Sequence, residues 1–191
     1  QHGFRKKKSC LTNLLEFLEE VVGYVDRGIP VDVIYLDFAK AFDKVPHQRL
    51  IYKLRKYGIS DEIVRWIESW LSGRRQRVVI EGIESGWEEV WSGVPQGSVL
   101  GSILFIAFIN DIDENVLSRV LKFADDTKLL SRADSVEGVE RLQEDLKVLF
   151  KWSKDWQMLF NEDKCVVMHI GYSNNEAKFK MGETVLKVIK E

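Results

Sequence analysis

The chain is poor in the residues that staple a fold together. Two cysteines, three histidines and three prolines are spread over 191 residues. Cys10 and Cys165 stand far apart, so a disulfide framework is not expected, and no His or Cys spacing forms a zinc signature. No apolar run reaches the length of a membrane span; the longest approach, residues 99–109, is too short. The opening residues QHGFRKKK lead into no apolar stretch of the kind a secretion signal carries. The expectation is an intracellular protein in a reducing compartment, with no membrane partner and no choice made between nucleus and cytoplasm. Internal repeats and low-complexity tracts are also missing. A first residue of Gln and a last residue of Glu, without caps, suggest a piece of something longer.

What is present is core-forming material. Hydrophobic residues make up 45% of the chain, with six Trp and ten Phe, enough for a real core in one domain or one domain and part of another. Net charge is only −2, but it is unevenly placed. Residues 1–80 hold 15 Lys and Arg against 10 Asp and Glu, whereas the rest holds 13 against 20. The basic clusters at 5–8, 53–56 and 74–77 are able to bind phosphates, and equally able to be plain solvated faces.

Periodicity predicts a helix over 10–26, with Ser9 as N-cap and Leu11, Leu14, Leu15, Leu18, Val21, Val22 and Val25 at helical spacing. Residues 31–37 are short and β-branched, the pattern of a buried strand. Helices are expected over 48–57 and 61–72; in the second, Ile63, Trp66, Ile67, Trp70 and Leu71 form one stripe whose tryptophans are assigned to core packing. Residues 77–81 and 87–91 read as a hairpin, 98–112 as an apolar helix, and 120–124 with 127–130 as a hairpin carrying Asp125 and Asp126 at its tip. A long helix over 135–156, a strand over 165–170 and short strands over 178–188 complete the pattern. No βαβ rhythm runs through this order. An α+β fold is expected, with an antiparallel sheet covered by helices on one face.

The chemistry concentrates in three carboxylates. Asp37 ends an apolar strand, where a lone charge is expensive, and FADDTKLL (123–130) sets Asp125 beside Asp126. Asp pairs are common in tight turns, so the pair alone carries little. If the strands are neighbours, all three acids meet at one sheet edge. Like charges there repel by roughly 4 kcal/mol per pair at 4 Å and an effective dielectric near 20, so the site calls for cations with oxygen preference, such as Mg²⁺. Two ions ~3.5–4 Å apart would serve phosphoryl transfer. His47 follows a proline and is read as structural; His2 and His169 have no ligand partners at metal spacing. Ser98 lacks the strand–elbow context of a serine nucleophile.

DFAKAFDKVPH (37–47), SGVPQGSVLG (92–101) and FADDTKL (123–129) resemble consecutive motifs of reverse transcriptases, in the version found in LINE-type (non-LTR) retrotransposons of the jockey-like branch. QHGFRKKKSC (1–10), WLSGRRQRV (70–78) and WQMLFNEDKC (156–165) resemble the flanking segments, in order and nearly end to end. The resemblance implies a polymerase palm with partial fingers and no thumb: partial fingers at 1–30, palm at 31–46, connecting helices and hairpin at 47–91, palm at 92–191. It implies an RNA-directed DNA polymerase acting on an RNA template, a DNA primer and deoxynucleoside triphosphates, with two Mg²⁺ and Mn²⁺ as substitute. Asp37, Asp125 and Asp126 would bind metal, with the Phe38 carbonyl as a further ligand. Lys164 would protonate departing pyrophosphate. Lys40, Ala41, Phe42, Gln96 and Gly97 would surround the nucleotide, Phe42 excluding a 2′-OH, and Arg5 would touch template or nucleotide phosphate. Ser102 stands where the family usually has proline. Two other readings are kept: an inactive retroelement remnant that binds nucleic acid or protein, and a palm-like nucleotide cyclase.

Overall fold

A computed structural model describes residues 1–190. In chain order the elements are α1 (Cys10–Val25), β1 (Val31–Leu36), a 3₁₀ turn (Ala41–Lys44), α2 (His47–Lys56), α3 (Asp61–Leu71), β2 (Arg75–Gln76), β3 (Val79–Ile80), β4 (Ile83–Glu84) and β5 (Glu88–Glu89). There follow α4 (Val99–Phe108), β6 (Arg119–Phe123), β7 (Asp126–Arg132), α5 (Val136–Asp155), β8 (Val166–Ile170), β9 (Lys180–Met181), β10 (Thr184–Val185) and β11 (Lys187–Ile189). They divide into two compact units: residues 1–39 with the chain from Asn110 onward, and residues 40–109.

The first unit is built on a five-stranded sheet in the order β11-β8-β1-β7-β6. β1 lies in the middle, in keeping with a strand that is apolar except for Asp32: Val31, Val33 and Ile34 have no exposed surface. β7 and β8 pair with it antiparallel, in registers running from Val31↔Arg132 to Leu36↔Thr127 and from Val31↔Ile170 to Tyr35↔Val166. β11 joins β8 in parallel, so the sheet is mixed rather than wholly antiparallel.

Helices cover both faces, not the single face expected. Phe17 and Val21 of α1 pack on Val31, Val33, Leu121 and Leu130. Alternation turns Asp32, Ile34 and Ser131 to the opposite face, where the Ser131 hydroxyl approaches the Gly138 carbonyl of α5. Leu142, Leu146 and Leu149 of α5 are fully buried, and Ser135 caps the helix by accepting from the Gly138 N–H. Asp145 on the same helix accepts from the Leu117 and Ser118 N–H groups at 3.0 and 2.7 Å, fixing the approach to β6. On β1 the buried Asp32 holds His169 at 2.6 Å and Asn174 at 2.8 Å, which gives His169 a partner inside the fold.

Ser9 caps α1 as expected, with Thr12 closing a capping box. The buried side of α1 differs from expectation: Asn13, Phe17 and Val21 face inward, whereas Leu11, Leu14, Leu15, Leu18 and Val22 are exposed. Asn13 sets this rotation, because its amide reaches the Lys122 carbonyl. Among the described residues no helix is long and apolar enough to cross a membrane.

The second unit packs α2, α3 and α4. Lys53 is fully buried and donates from Nζ to the Phe108 carbonyl at 2.6 Å, an unusual core position for an ammonium. In α3 the buried side is Val64, Ile67 and Leu71; Ile63 and Trp66 lie outside, so the core role assigned to Trp66 does not hold. The hairpin is two short ladders, β2 with β5 and β3 with β4, rather than 77–81 against 87–91. Its tip, Glu81-Gly82, has positive φ at both residues, the two-residue turn that matches strand twist.

Candidate active site

The sheet register brings the three predicted carboxylates to one end of the first unit. β1 and β7 pair up to Leu36↔Thr127, and one step further sets Asp37 level with Asp126. β6 and β7 pair up to Phe123↔Asp126, so the turn between them is Ala124-Asp125, and Asp126 is the first residue of the strand rather than part of the tip. Ala124 is buried with φ +52°, a left-handed conformation that costs a residue with a Cβ roughly 1–2 kcal/mol. Burial first, then the charges of Asp126 and Asp37, push the Asp125 carboxyl above its usual range. It is the strand register that sets Asp37 level with Asp126 and Asp125 one residue before it.

The backbone beneath Asp37 is held by a segment far along the chain. The Asn161 N–H donates to the Asp37 carbonyl at 2.8 Å, and the Ala39 N–H donates to the Leu159 carbonyl at 2.9 Å. Between them Phe38 bridges Phe160, and their rings stack at 4.5 Å. Cys165 is buried below, and its sulfur accepts from the Asp37 N–H at 3.5 Å. Burial, with the nearby Asp37 charge adding to it, pushes the Cys165 thiol up to about 11, so it is a protonated packing group at neutral pH. Sequence reasoning named Asp37 but missed Asn161 and Cys165. Their spacing from Asp37 carries no periodic signal.

Lys164 reaches the same place. Its Nζ lies 3.6 Å from Asp37 Oδ2, with the lysine side chain largely exposed and the aspartate about one-third exposed. A cation already stands against this carboxylate. The donor chemistry fits a hard divalent ion: three carboxylates at a strand end with crowded negative charge. Among the described residues, no three His, Cys, Asp or Glu side chains close into a cage. Arg5 is exposed on the loop leading into α1, in the same unit.

The predicted nucleotide residues belong to the second unit. Lys40 is exposed at φ +57° and precedes the 3₁₀ turn. Ala41 and Phe42 are buried, the Phe42 ring stacked on Phe105 at 4.4 Å. The Phe42 carbonyl accepts from the Val94 N–H and the Val45 carbonyl from the Gly93 N–H, both at 2.8 Å, which ties the turn to the loop carrying Gln96 and Gly97. Those two are exposed, and Gly97 has φ +85°. His47 and Arg74 both bond the Gly93 carbonyl, at 2.9 and 2.6 Å, the structural role expected for the histidine. Gln96 borders a cleft of about 560 Å³ with Arg74, Arg75 and Asp43.

Comparison with known proteins gives this arrangement a context. A family model described as "Reverse transcriptase (RNA-dependent DNA polymerase)" matches residues 1–184. The RNA-directed DNA polymerase from mobile element jockey of Drosophila melanogaster is 32% identical over 142 residues, 69% of this chain and 15% of the relative. Its Drosophila funebris counterpart is 29% identical over 174 residues, 86% of this chain and 19% of the relative. The chain therefore spans less than a fifth of the length of these relatives. Among solved structures, telomerase from Candida albicans in complex with a fragment of telomeric RNA superposes with a TM-score of 0.60 over 91% of this chain and 32% of that one, at 14% identity, a likeness of fold alone.

Proposed function

This chain belongs to the reverse transcriptase (RNA-dependent DNA polymerase) family, and on that basis we propose that it is the palm-centred part of an RNA-directed DNA polymerase of a non-LTR retroelement. The reaction is attack of a primer 3′-oxygen on the α-phosphorus of a deoxynucleoside triphosphate, directed by an RNA template. A new phosphodiester bond forms, the bond to pyrophosphate breaks, and the hydroxyl proton passes to solvent water. The observation that carries this reading is the convergence of Asp37, Asp125 and Asp126 at one end of the sheet. Asp37, the Phe38 carbonyl, Asp125 and Asp126 would hold two Mg²⁺, or Mn²⁺ in their place. Such ions neutralise phosphate charge and favour the attacking oxygen in its deprotonated form. The polypeptide supplies alignment, a large part of any such rate enhancement. Primer extension on an RNA template with Mg²⁺, with Asp126→Ala as control, tests the assignment; product from the wild type alone supports it, and equal product from both contradicts it.

Lys164 steadies Asp37 and gives a proton to departing pyrophosphate, a reading supported by the 3.6 Å approach of its Nζ to Asp37 Oδ2. Lys164→Met is expected to lower kcat about 100-fold, the usual size of a general acid's contribution, with little change in the KM for nucleotide. Steady-state primer extension with varied nucleotide checks this.

Phe42 presents a fixed ring, braced by Phe105, as a barrier to a ribose 2′-OH, and Lys40, Ala41, Gln96 and Gly97 complete the nucleotide contacts. Arg5 contacts template or nucleotide phosphate. Phe42→Val is expected to reduce the preference for deoxynucleotides over ribonucleotides by roughly 10–100-fold, the range a change of pocket volume gives. Single-nucleotide incorporation with paired deoxy and ribo substrates reads it directly.

A further inference from the structure

The turn that carries Asp125 is gripped from outside the hairpin. The Gln1 side-chain amide bonds both backbone groups of Ala124: Oε1 accepts from the Ala124 N–H at 2.9 Å, and Nε2 donates to the Ala124 carbonyl at 3.1 Å. Oε1 also accepts from the Gly3 N–H at 2.7 Å, which fixes the amide in its own loop. The neighbouring His2 N–H donates to the Lys122 carbonyl at 2.7 Å. Gly3 packs so close to Ala124 that an added Cβ would overlap the Ala124 nitrogen. The His2 ring is buried, with Nδ1 3.0 Å from the Thr12 hydroxyl and Nε2 2.8 Å from the Glu16 carboxylate, which fastens the segment to α1.

Ala124 is the residue that needs such a grip. It immediately precedes Asp125 and holds a left-handed φ of +52°, which a residue with a Cβ rarely adopts unaided. Only a primary amide offers a donor and an acceptor side by side, and glutamine alone has both that amide and a long stem. From these contacts we infer that Gln1 is a positioning residue: by clamping Ala124 in its left-handed conformation it presets Asp125 and Asp126 for divalent-ion binding. The inference deepens the proposed polymerase reading, and its first measurement stands without it. Gln1 touches neither substrate nor ion; it acts through the turn.

The test compares the wild-type full chain, Gln1→Ala, and Gln1→Ala combined with Ala124→Gly. Glycine takes positive φ without penalty, so it should replace the clamp. NMR amide exchange at Ala124 is expected to quicken at least tenfold in Gln1→Ala, because the N–H loses its acceptor. The Mn²⁺ concentration that half-saturates the chain, read from the EPR signal of free Mn²⁺, is expected to rise about tenfold and to return most of the way in the double variant. Melting temperatures within a few degrees of each other exclude general unfolding. Unchanged Ala124 exchange overturns the clamp. Faster exchange with unchanged Mn²⁺ affinity, or a double variant as weak as Gln1→Ala, overturns the positioning role. Normal clamp behaviour in a chain with no primer extension at any Mn²⁺ concentration sinks the polymerase reading instead.

Discussion

Asp125→Asn is expected to lower primer extension by roughly a thousandfold, the scale of losing a group that aligns and neutralises phosphate charge, while leaving the protein at least as stable as before. Both halves follow from one cause. The Asp125 carboxyl is raised above its ordinary range by burial, with Asp126 and Asp37 adding to it. A raised carboxyl is a charge the fold holds at a cost, and an amide of the same shape removes that cost. The sign with pH is fixed by the same shift. Below the ordinary carboxylate range Asp125 is protonated in both folded and unfolded states, and the penalty is absent. As pH rises through its raised value the carboxylate forms in the folded chain and stability is lost. Wild type and variant are therefore expected to melt together in acid and to separate at neutral pH, with the variant higher. Mg²⁺ then raises the wild-type melting temperature more than that of the variant, since ligand binding to the folded state stabilises it. Thermal melts at pH 3 and pH 7, with and without Mg²⁺, read all of this; a variant less stable than wild type at neutral pH contradicts the electrostatic account.

Gly93→Ala is expected to be strongly destabilising to the second unit. Gly93 has φ +86°, and a Cβ there would lie 2.6 Å from the Asp43 carbonyl oxygen, with the Asp43 backbone on every near side. Backbone cannot swing away as a lysine tip does. The substitution combines a left-handed alanine with a clash, together about 3 kcal/mol or more. Relief requires the loop to leave Phe42 and Val45, which breaks the two 2.8 Å bonds there and moves the Gly93 carbonyl off His47 and Arg74. Urea unfolding followed by tryptophan fluorescence checks the loss. The same displacement carries Gln96 and Gly97 with it, and under the nucleotide role proposed for them a sharp rise in nucleotide KM is the expected companion result.

Much of this architecture was legible because it is written in short-range pattern. The β-branched run at β1, the Ser9 cap, the long helix after residue 135 and the Asp125-Asp126 pair each announce themselves within a few residues, and the structure bears them out at those places. What stayed hidden was set by distant partners. α1 is apolar on more than one side, and its orientation is chosen by Asn13 bonding a carbonyl on β6; hydrophobic spacing alone pointed to Leu11, Leu15 and Leu18, which are exposed. Trp66 was misplaced for the same reason, since α3 buries Val64, Ile67 and Leu71 one step round the helix. The helix on the second sheet face and the parallel β11 depend on which way the chain crosses, and no local pattern records that. The three acids were readable as a group. The backbone contacts that orient them, from Gln1, Leu159 and Asn161, span up to 123 residues and leave no trace in spacing.

Line broadening of the assigned protein by Mn²⁺ tests the common metal site directly. Substoichiometric Mn²⁺ is expected to broaden the amide resonances of Asp37, Asp125 and Asp126 together, at one concentration, and to leave those of Asp32 and Asp145 sharp. Broadening of the 125–126 pair with Asp37 untouched, or broadening scattered over surface carboxylates, would contradict the shared site and the reaction assigned to it.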